Sequence, residues 1–192
     1  MTSENFILQF KIGDETICDE LIEYHTHNTE YKNDRSGGGE SNVKQSIDVQ
    51  VLPTSKHPSI KKYIKYVMNG LKHYLDTYKH FQSDLTILES FNIQYYKPHG
   101  GFRKWHCERS NYQSHQRGLV FMTYLNTIDG GGTEFAYYPD VKINAEKGVT
   151  LIWPTDFTHT HRSVVTSNEK WIITGWYNHY DVGLIKQILG RI

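Results

Sequence analysis

From residue 85 onward the apolar residues of this chain stop recurring at helical steps and begin to alternate. LTILESFNIQYY, GLVFMTYLN, TEFAYY, VTLIW and KWIITGWY are short β-branched and aromatic runs separated by glycine, proline, asparagine or aspartate. A set of half-buried strands like this predicts a β-sandwich or barrel. The first part of the chain has another rhythm. FILQFKI reads as an early strand, and Asp14 can cap a helix whose apolar residues Ile17, Leu21 and Tyr24 fall at steps of four and three. SIDVQVL alternates as a second strand. From Pro58, Ile60, Ile64, Val67, Leu71, Tyr74 and Tyr78 recur at steps of four and three with lysines between them, which predicts the longest helix of the chain. Two helices ahead of a run of strands predict an α+β arrangement in which the helices brace one sheet from outside.

Between these elements, NDRSGGGESN (33–42) concentrates glycine and small polar residues and reads as a mobile loop, either an active-site lid or a plain connector. The tail VGLIKQILGRI reads as a short amphipathic helix, with 179–192 as a C-terminal helical segment. The whole, 192 residues, fits a single domain: a helical support region over 1–85 and a strand-rich core over 86–178. Lysine plus arginine equals aspartate plus glutamate at 21 each, so no overall field attracts nucleic acid or an anionic membrane. Two cysteines, Cys18 and Cys107, are too few for a disulfide framework and suit free thiols in a reducing compartment. MTSENFILQF lacks a basic start and a long apolar run, and no segment nears the roughly 20 apolar residues of a membrane span. The expectation is a soluble, unexported, cytoplasmic protein; oligomeric state is left open.

WHCERS (105–110) raises the chemical question. On a strand, residues two apart share a face, so His106 and Glu108 can aim a ring nitrogen and a carboxylate oxygen at one point. That spacing alone is weak, because a chain with 11 histidines yields such pairs by chance, and a second stands at His179 and Asp181. The surrounding order of motifs is far more specific. Tyr96-Lys-Pro-His-Gly-Gly-Phe-Arg-Lys-Trp105 precedes His106; then come Tyr124-Leu125-Asn126, Gly131-Gly132-Thr133-Glu134-Phe135, Gly148-Val-Thr-Leu-Ile-Trp-Pro154, His161-Arg162 and Lys170-Trp-Ile-Ile-Thr-Gly-Trp176. From Tyr96 to Tyr177 the chain resembles the Fe(II)/2-oxoglutarate-dependent oxygenases, within them the prolyl 4-hydroxylase-like branch.

That resemblance implies a double-stranded β-helix, the jelly roll, as the core. Two imidazoles and one carboxylate on one face of a ferrous ion leave three positions open, the arrangement of non-haem Fe(II) oxygenases. His106 and Glu108 form the near pair, and His159 or His161 can supply the third ligand. Lys170 follows His161 by nine residues, the step at which one branch of the family places the basic residue for the distal carboxylate of 2-oxoglutarate, so the resemblance favours His161. It also implies that Tyr124 and Tyr96 contact the co-substrate. Thr174 and Trp176 share a strand face with Lys170 and Ile172, which makes them pocket lining or ordinary core. Most members carry His-x-Asp; this chain departs from them with His-x-Glu, one methylene longer.

The remaining groups get plainer readings. Gly130-Gly-Gly132 predicts a tight turn between strands. Phe102 and Trp105 pack under the metal strand, Cys107 faces away from it, and His179 with Asp181 lies on the surface. Arg162 contacts substrate or carboxylates near the mouth, and RSNYQSHQRG (109–118) covers it. The implied activity is hydroxylation with release of succinate and CO2, using Fe(II), 2-oxoglutarate and O2, with ascorbate as an auxiliary reductant. The leading substrate is a prolyl residue in a peptide or protein, followed by a free amino acid or other small molecule. A non-catalytic jelly-roll binding module and a zinc hydrolase built on the same triad are the competing readings.

Overall fold

The structure, a computed structural model, describes residues 2–28, 30, 32–34 and 43–181. Its N-terminal half runs β1 (Thr2–Glu4), β2 (Ile7–Lys11), α1 (Thr16–His27), β3 (Lys32–Asp34), β4 (Lys44–Gln45), β5 (Ile47–Val51) and α2 (Pro58–Thr77). Then come β6 (Leu85–Thr86), β7 (Phe91–Tyr96), β8 (Gly101–Phe102), β9 (Arg117–Tyr124), β10 (Ile128–Phe135) and β11 (Ile143–Ala145). Last are β12 (Val149–Pro154), β13 (His161–Ser163) and β14 (Lys170–His179). The expected C-terminal helix begins where β14 is still extended, and its remainder, 182–192, lies outside the described residues, as does 35–42 of the expected loop.

The strands form a jelly roll. A large antiparallel sheet has the order β1-β2-β12-β9-β14-β7-β5-β3, with β6 added to β14. Facing it is a small sheet of order β11-β10-β13. Alternation along β9 decides which side chain enters which layer. Leu119 and Phe121 point toward the helices, whereas Val120, Met122 and Tyr124 point into the sandwich.

On the outer face, α1 contributes Ile17, Cys18 and Leu21, and α2 contributes Ile60, Tyr63, Val67, Leu71 and Tyr74, all buried against that sheet. Each such side chain is worth about 1.5–3 kcal/mol in removed apolar surface. The helices start where the sequence predicts: Asp14 Oδ1 accepts from the Thr16 backbone N–H at 3.1 Å, and Pro58 opens α2. Polar atoms in this layer are satisfied internally, since the Tyr63 hydroxyl lies 2.9 Å from Thr123 Oγ1, itself 2.7 Å from Thr150 Oγ1.

On the inner face, Ile7, Val120, Leu151 and Trp153 pack against Phe135, Ile143 and Ala145 of the small sheet. The glycines expected to make a turn lie inside β10 instead. There the β10–β11 register jumps from Ile128 opposite Ala145 to Thr133 opposite Ile143, a bulge that holds Gly130 at φ +65°. A side chain at Gly132 is excluded, because its Cβ would stand 1.6 Å from the Ile143 carbonyl oxygen.

Candidate active site

The apolar packing between the sheets fills only part of the sandwich. Beyond Met122 and Trp153 a half-open cavity of about 270 Å³ is lined by polar and apolar side chains together. His106 enters it from a segment that is not a strand, as expected, but a single bridge to β13: His106 N–H donates to the His161 carbonyl at 3.0 Å, and His161 N–H to the His106 carbonyl at 2.9 Å. Two residues on, the Glu108 N–H donates to the Thr155 carbonyl at 3.1 Å. The backbone therefore clamps 106–108 between β13 and the end of β12.

The side chains then meet. Glu108 Oε1 lies 3.5 Å from His106 Nε2 and 3.5 Å from His161 Nε2. One ligand atom from each residue falls within 4.8 Å of the others. Nδ1 of His106 is 2.9 Å from the Lys104 carbonyl, and Nδ1 of His161 is 2.9 Å from the His159 carbonyl. A carbonyl can only accept, so each Nδ1 carries the proton and each Nε2 lone pair is left facing the carboxylate. Phe102 stacks on the His106 ring with centroids 3.6 Å apart and fixes its plane. Two imidazoles and a carboxylate converging on one point are a donor set that fits a ferrous ion.

His159, the alternative third ligand, turns elsewhere. It is 3% exposed, with Nε2 2.8 Å from the Asn5 carbonyl and Nδ1 3.0 Å from Thr158 Oγ1, and it lies outside the cluster.

All five residues expected around the co-substrate line the same cavity. Lys170 is 2% exposed, and its ammonium donates to the Val164 carbonyl at 3.0 Å, the Gly131 carbonyl at 3.2 Å and the Ser163 hydroxyl. Burial pulls its pKa down to about 8, and among the described residues no carboxylate forms an ion pair with it. The Tyr124 hydroxyl lies 2.6 Å from Thr133 Oγ1, and burial raises this phenol well above its ordinary range. Tyr96 donates its hydroxyl to Gln94 Oε1 at 2.7 Å, with Lys170 Nζ 5.3 Å from its ring. Thr174 bonds the Phe121 carbonyl at 3.2 Å. Trp176 donates its indole N–H to Glu108 Oε2 at 3.0 Å, so it meets the carboxylate of the triad.

Arg162 borders the cavity and meets a carboxylate there, as one of its two readings has it: its guanidinium pairs with Glu134 at 3.0 Å and stacks on Trp105 at 4.3 Å. Trp105 is thus the partner of Arg162 at the surface and not a prop beneath the histidine. His179 is partly buried, bonded to Ser83 Oγ at 2.6 Å. In 109–118, Asn111 caps a short 3-10 turn at Tyr112–Ser114. Two groups escape a sequence reading. Arg117 forks onto Glu89 and approaches Glu108 Oε2 at 3.6 Å; nothing in its spacing marks it. Asp48, buried in the cavity wall and paired with Lys44 at 2.8 Å, reads only as a residue of the polar side of β5, in step with Gln50 and out of step with Ile47, Val49 and Val51.

A jelly roll that gathers such a donor set at one end and keeps a cation further in has a ligand arrangement of the kind non-haem iron sites use. Residues 91–178 match the family model of the 2OG-Fe(II) oxygenase superfamily. No curated protein matches the sequence. Among solved structures, a viral collagen prolyl hydroxylase of Paramecium bursaria Chlorella virus-1, solved with 2-oxoglutarate, is 19% identical with a TM-score of 0.69, covering 92% of this chain and 97% of that one. A Pseudomonas putida prolyl-4-hydroxylase is 16% identical with a TM-score of 0.69, covering 91% and 93%. A Trichoplax adhaerens prolyl hydroxylase, in complex with a hypoxia-inducible-factor peptide fragment, is 14% identical with a TM-score of 0.71, covering 91% and 84%. At these identities the likeness is one of fold. Among the described residues no helix is long and apolar enough to cross a membrane.

Proposed function

We propose that the chain is a 2-oxoglutarate-dependent hydroxylase in which His106, Glu108 and His161 hold Fe(II) while Lys170 and Tyr124 bind the far carboxylate of 2-oxoglutarate. One observation carries the reading: an ammonium at 2% exposure shares a cavity with the triad and lacks an ion-pair partner among the described residues. A buried cation of this kind calls for an anion. The zinc-hydrolase reading leaves that cation without a task, and a mere binding module leaves the aligned Nε2 lone pairs without one.

When bound, the ferrous ion supplies the site where O2 reacts as 2-oxoglutarate is decarboxylated to succinate and CO2 and a substrate C–H becomes C–OH. The chain's residues bind and orient. The Lys104 and His159 carbonyls hold the Nδ1 protons, keeping both Nε2 atoms unprotonated as ligands must be. The Lys170 ammonium supplies the positive charge and the Tyr124 hydroxyl a directional bond to the co-substrate. Met122, Trp153 and Ile172 keep bulk water from that end. The substrate we assign is a prolyl residue in a peptide or protein, supported by the shared fold of the prolyl hydroxylases; a free amino acid or other small molecule is the alternative.

The test is an anaerobic titration with Fe(II) and 2-oxoglutarate that follows the metal-to-ligand charge-transfer band in the visible, on the wild type and on His106→Ala. A band in the wild type that vanishes in the variant is expected. No band in the wild type sinks the cofactor assignment; an undiminished band in His106→Ala sinks the ligand assignment. Succinate release on adding prolyl peptides or free amino acids then chooses the substrate.

A further inference from the structure

The glutamate at 108 is longer than the aspartate that most of the superfamily carries, and a longer carboxylate has one more torsion to restrain before it can act as a ligand. We propose that Trp176 and Arg117 are positioning residues that hold Oε2 of Glu108, leaving Oε1 alone to face the two histidines, and that this hold is what allows a glutamate to serve here. The inference rests on the proposed role of Glu108 as a metal ligand.

The two carboxylate oxygens have different surroundings. Oε1 is 3.5 Å from both Nε2 atoms. Oε2 accepts the indole N–H of Trp176 at 3.0 Å and has Arg117 Nη1 3.6 Å away. Arg117 is itself fixed from four directions. Its guanidinium lies 3.5 Å from the Trp176 ring, its Nε and Nη2 fork onto Glu89 at 2.9 and 2.6 Å, and its Nη1 donates to the Glu108 carbonyl at 3.2 Å. Glu89 also accepts from Asn178 Nδ2 at 2.7 Å. The donors come from neighbouring strands, β9 and β14, whose register sets Trp176 opposite Val120 and Asn178 opposite Arg117. A planar fork and a rigid indole lose little freedom on making these bonds, so they restrain the flexible glutamate efficiently. An aspartate at 108, shorter by about 1.5 Å, cannot reach the indole and the histidine nitrogens together.

Co(II), which is stable in air and reports coordination through its d–d absorption, is the probe. Trp176→Phe keeps an aromatic ring beneath Arg117 and removes the N–H together with the smaller ring of the indole. It is expected to weaken Co(II) binding about tenfold and to change the d–d spectrum, as loss of a partner behind a metal ligand does. The affinity of the Co(II)-loaded protein for 2-oxoglutarate should stay within about twofold of wild type. Glu108→Asp, although it restores the commoner motif, is expected to bind Co(II) about tenfold more weakly, and Arg117→Gln, which removes the second group near the same oxygen, about threefold more weakly. The inference is overturned if Trp176→Phe keeps wild-type affinity and spectrum, if Glu108→Asp binds as tightly as wild type, or if Trp176→Phe loses 2-oxoglutarate and not Co(II). The last result would return Trp176 to contact with the co-substrate. A wild-type protein that binds no Co(II) at all overturns the site itself, a different failure from variants that match a wild type that binds.

Discussion

The two faces of the large sheet are made from the same strands yet solve opposite problems. Toward the helices, Leu119, Phe121, Ile152, Ile173 and Tyr177 meet α1 and α2 in an apolar layer whose hydroxyls pair with one another or with backbone carbonyls. Toward the small sheet, Val120, Met122, Tyr124 and Trp153 bury apolar surface at one end only, and the other end keeps an ammonium, a carboxylate and two imidazoles in about 270 Å³. Period-two alternation sends adjacent residues of one strand to both tasks. The lesson is a division of labour: the outer face supplies folding free energy, and the inner face uses part of it to keep costly charges in place for ligands.

The comparison breaks first at the triad. His161→Ala should cut succinate formation by about ten-thousandfold, about 5.5 kcal/mol of barrier, while the thermal unfolding midpoint stays near wild type. A variant retaining a tenth of wild-type turnover would show that the inner face does not depend on this residue. The mirror experiment is Phe121→Ala. Its ring is fully buried and contacts Tyr63, Phe91 and Tyr177, so denaturant unfolding should show a loss of about 3–5 kcal/mol. The molecules still folded should bind 2-oxoglutarate as before. If that affinity falls with stability, the two faces are coupled and not separate.

The two faces also differ in how far the sequence reveals them. On the outer face everything needed is periodic: Ile60, Ile64, Val67, Leu71 and Tyr74 mark α2, and the alternation of GLVFMTY marks β9 and its two sides. On the inner face the three ligand candidates and Lys170 could be singled out because motif order fixes their places along the chain. What sits behind them could not. Trp176 reads as pocket lining or core and does line the pocket, but nothing in the sequence sends its N–H to Glu108, and Arg117 carries no pattern at all, since a guanidinium 3.6 Å from a carboxylate is a product of β9–β14 register. The Gly130–Gly132 run reads as a turn locally, yet tertiary pairing with β11 draws it into a bulged strand. Local periodicity encodes burial, whereas partnerships across strands exist only after the sheet has formed.

Lys170 sharpens the contrast within one side chain, because its charge costs stability and serves binding. Lys170→Met removes a buried ammonium that has hydroxyl and carbonyl acceptors but no described carboxylate. Unfolding free energy at pH 7 should rise by about 1–3 kcal/mol. Over the same change, 2-oxoglutarate affinity should drop about a hundredfold, the worth of a charged hydrogen-bonded contact. Titration calorimetry and denaturant unfolding on one preparation read both. A variant that loses stability along with affinity would make Lys170 a structural residue after all.

The smallest effect is one of pH, and its sign follows from the same burial. Burial lowers the folded-state pKa of Lys170 from 10.5 to about 8, so between those values the unfolded chain binds the proton that the folded chain has released. Stability contributed by this group therefore increases as pH climbs through that window and is lost as pH falls back through 8. Binding of 2-oxoglutarate runs the other way, since the dianion needs the ammonium and above pH 8 must first restore it. Affinity measured on the Co(II)-loaded protein should weaken about fivefold between pH 8 and pH 9, and Lys170→Met should flatten that slope. A wild-type affinity level across the window would mean that the proton is held by something other than the lysine, and would move the anion's partner elsewhere in the cavity.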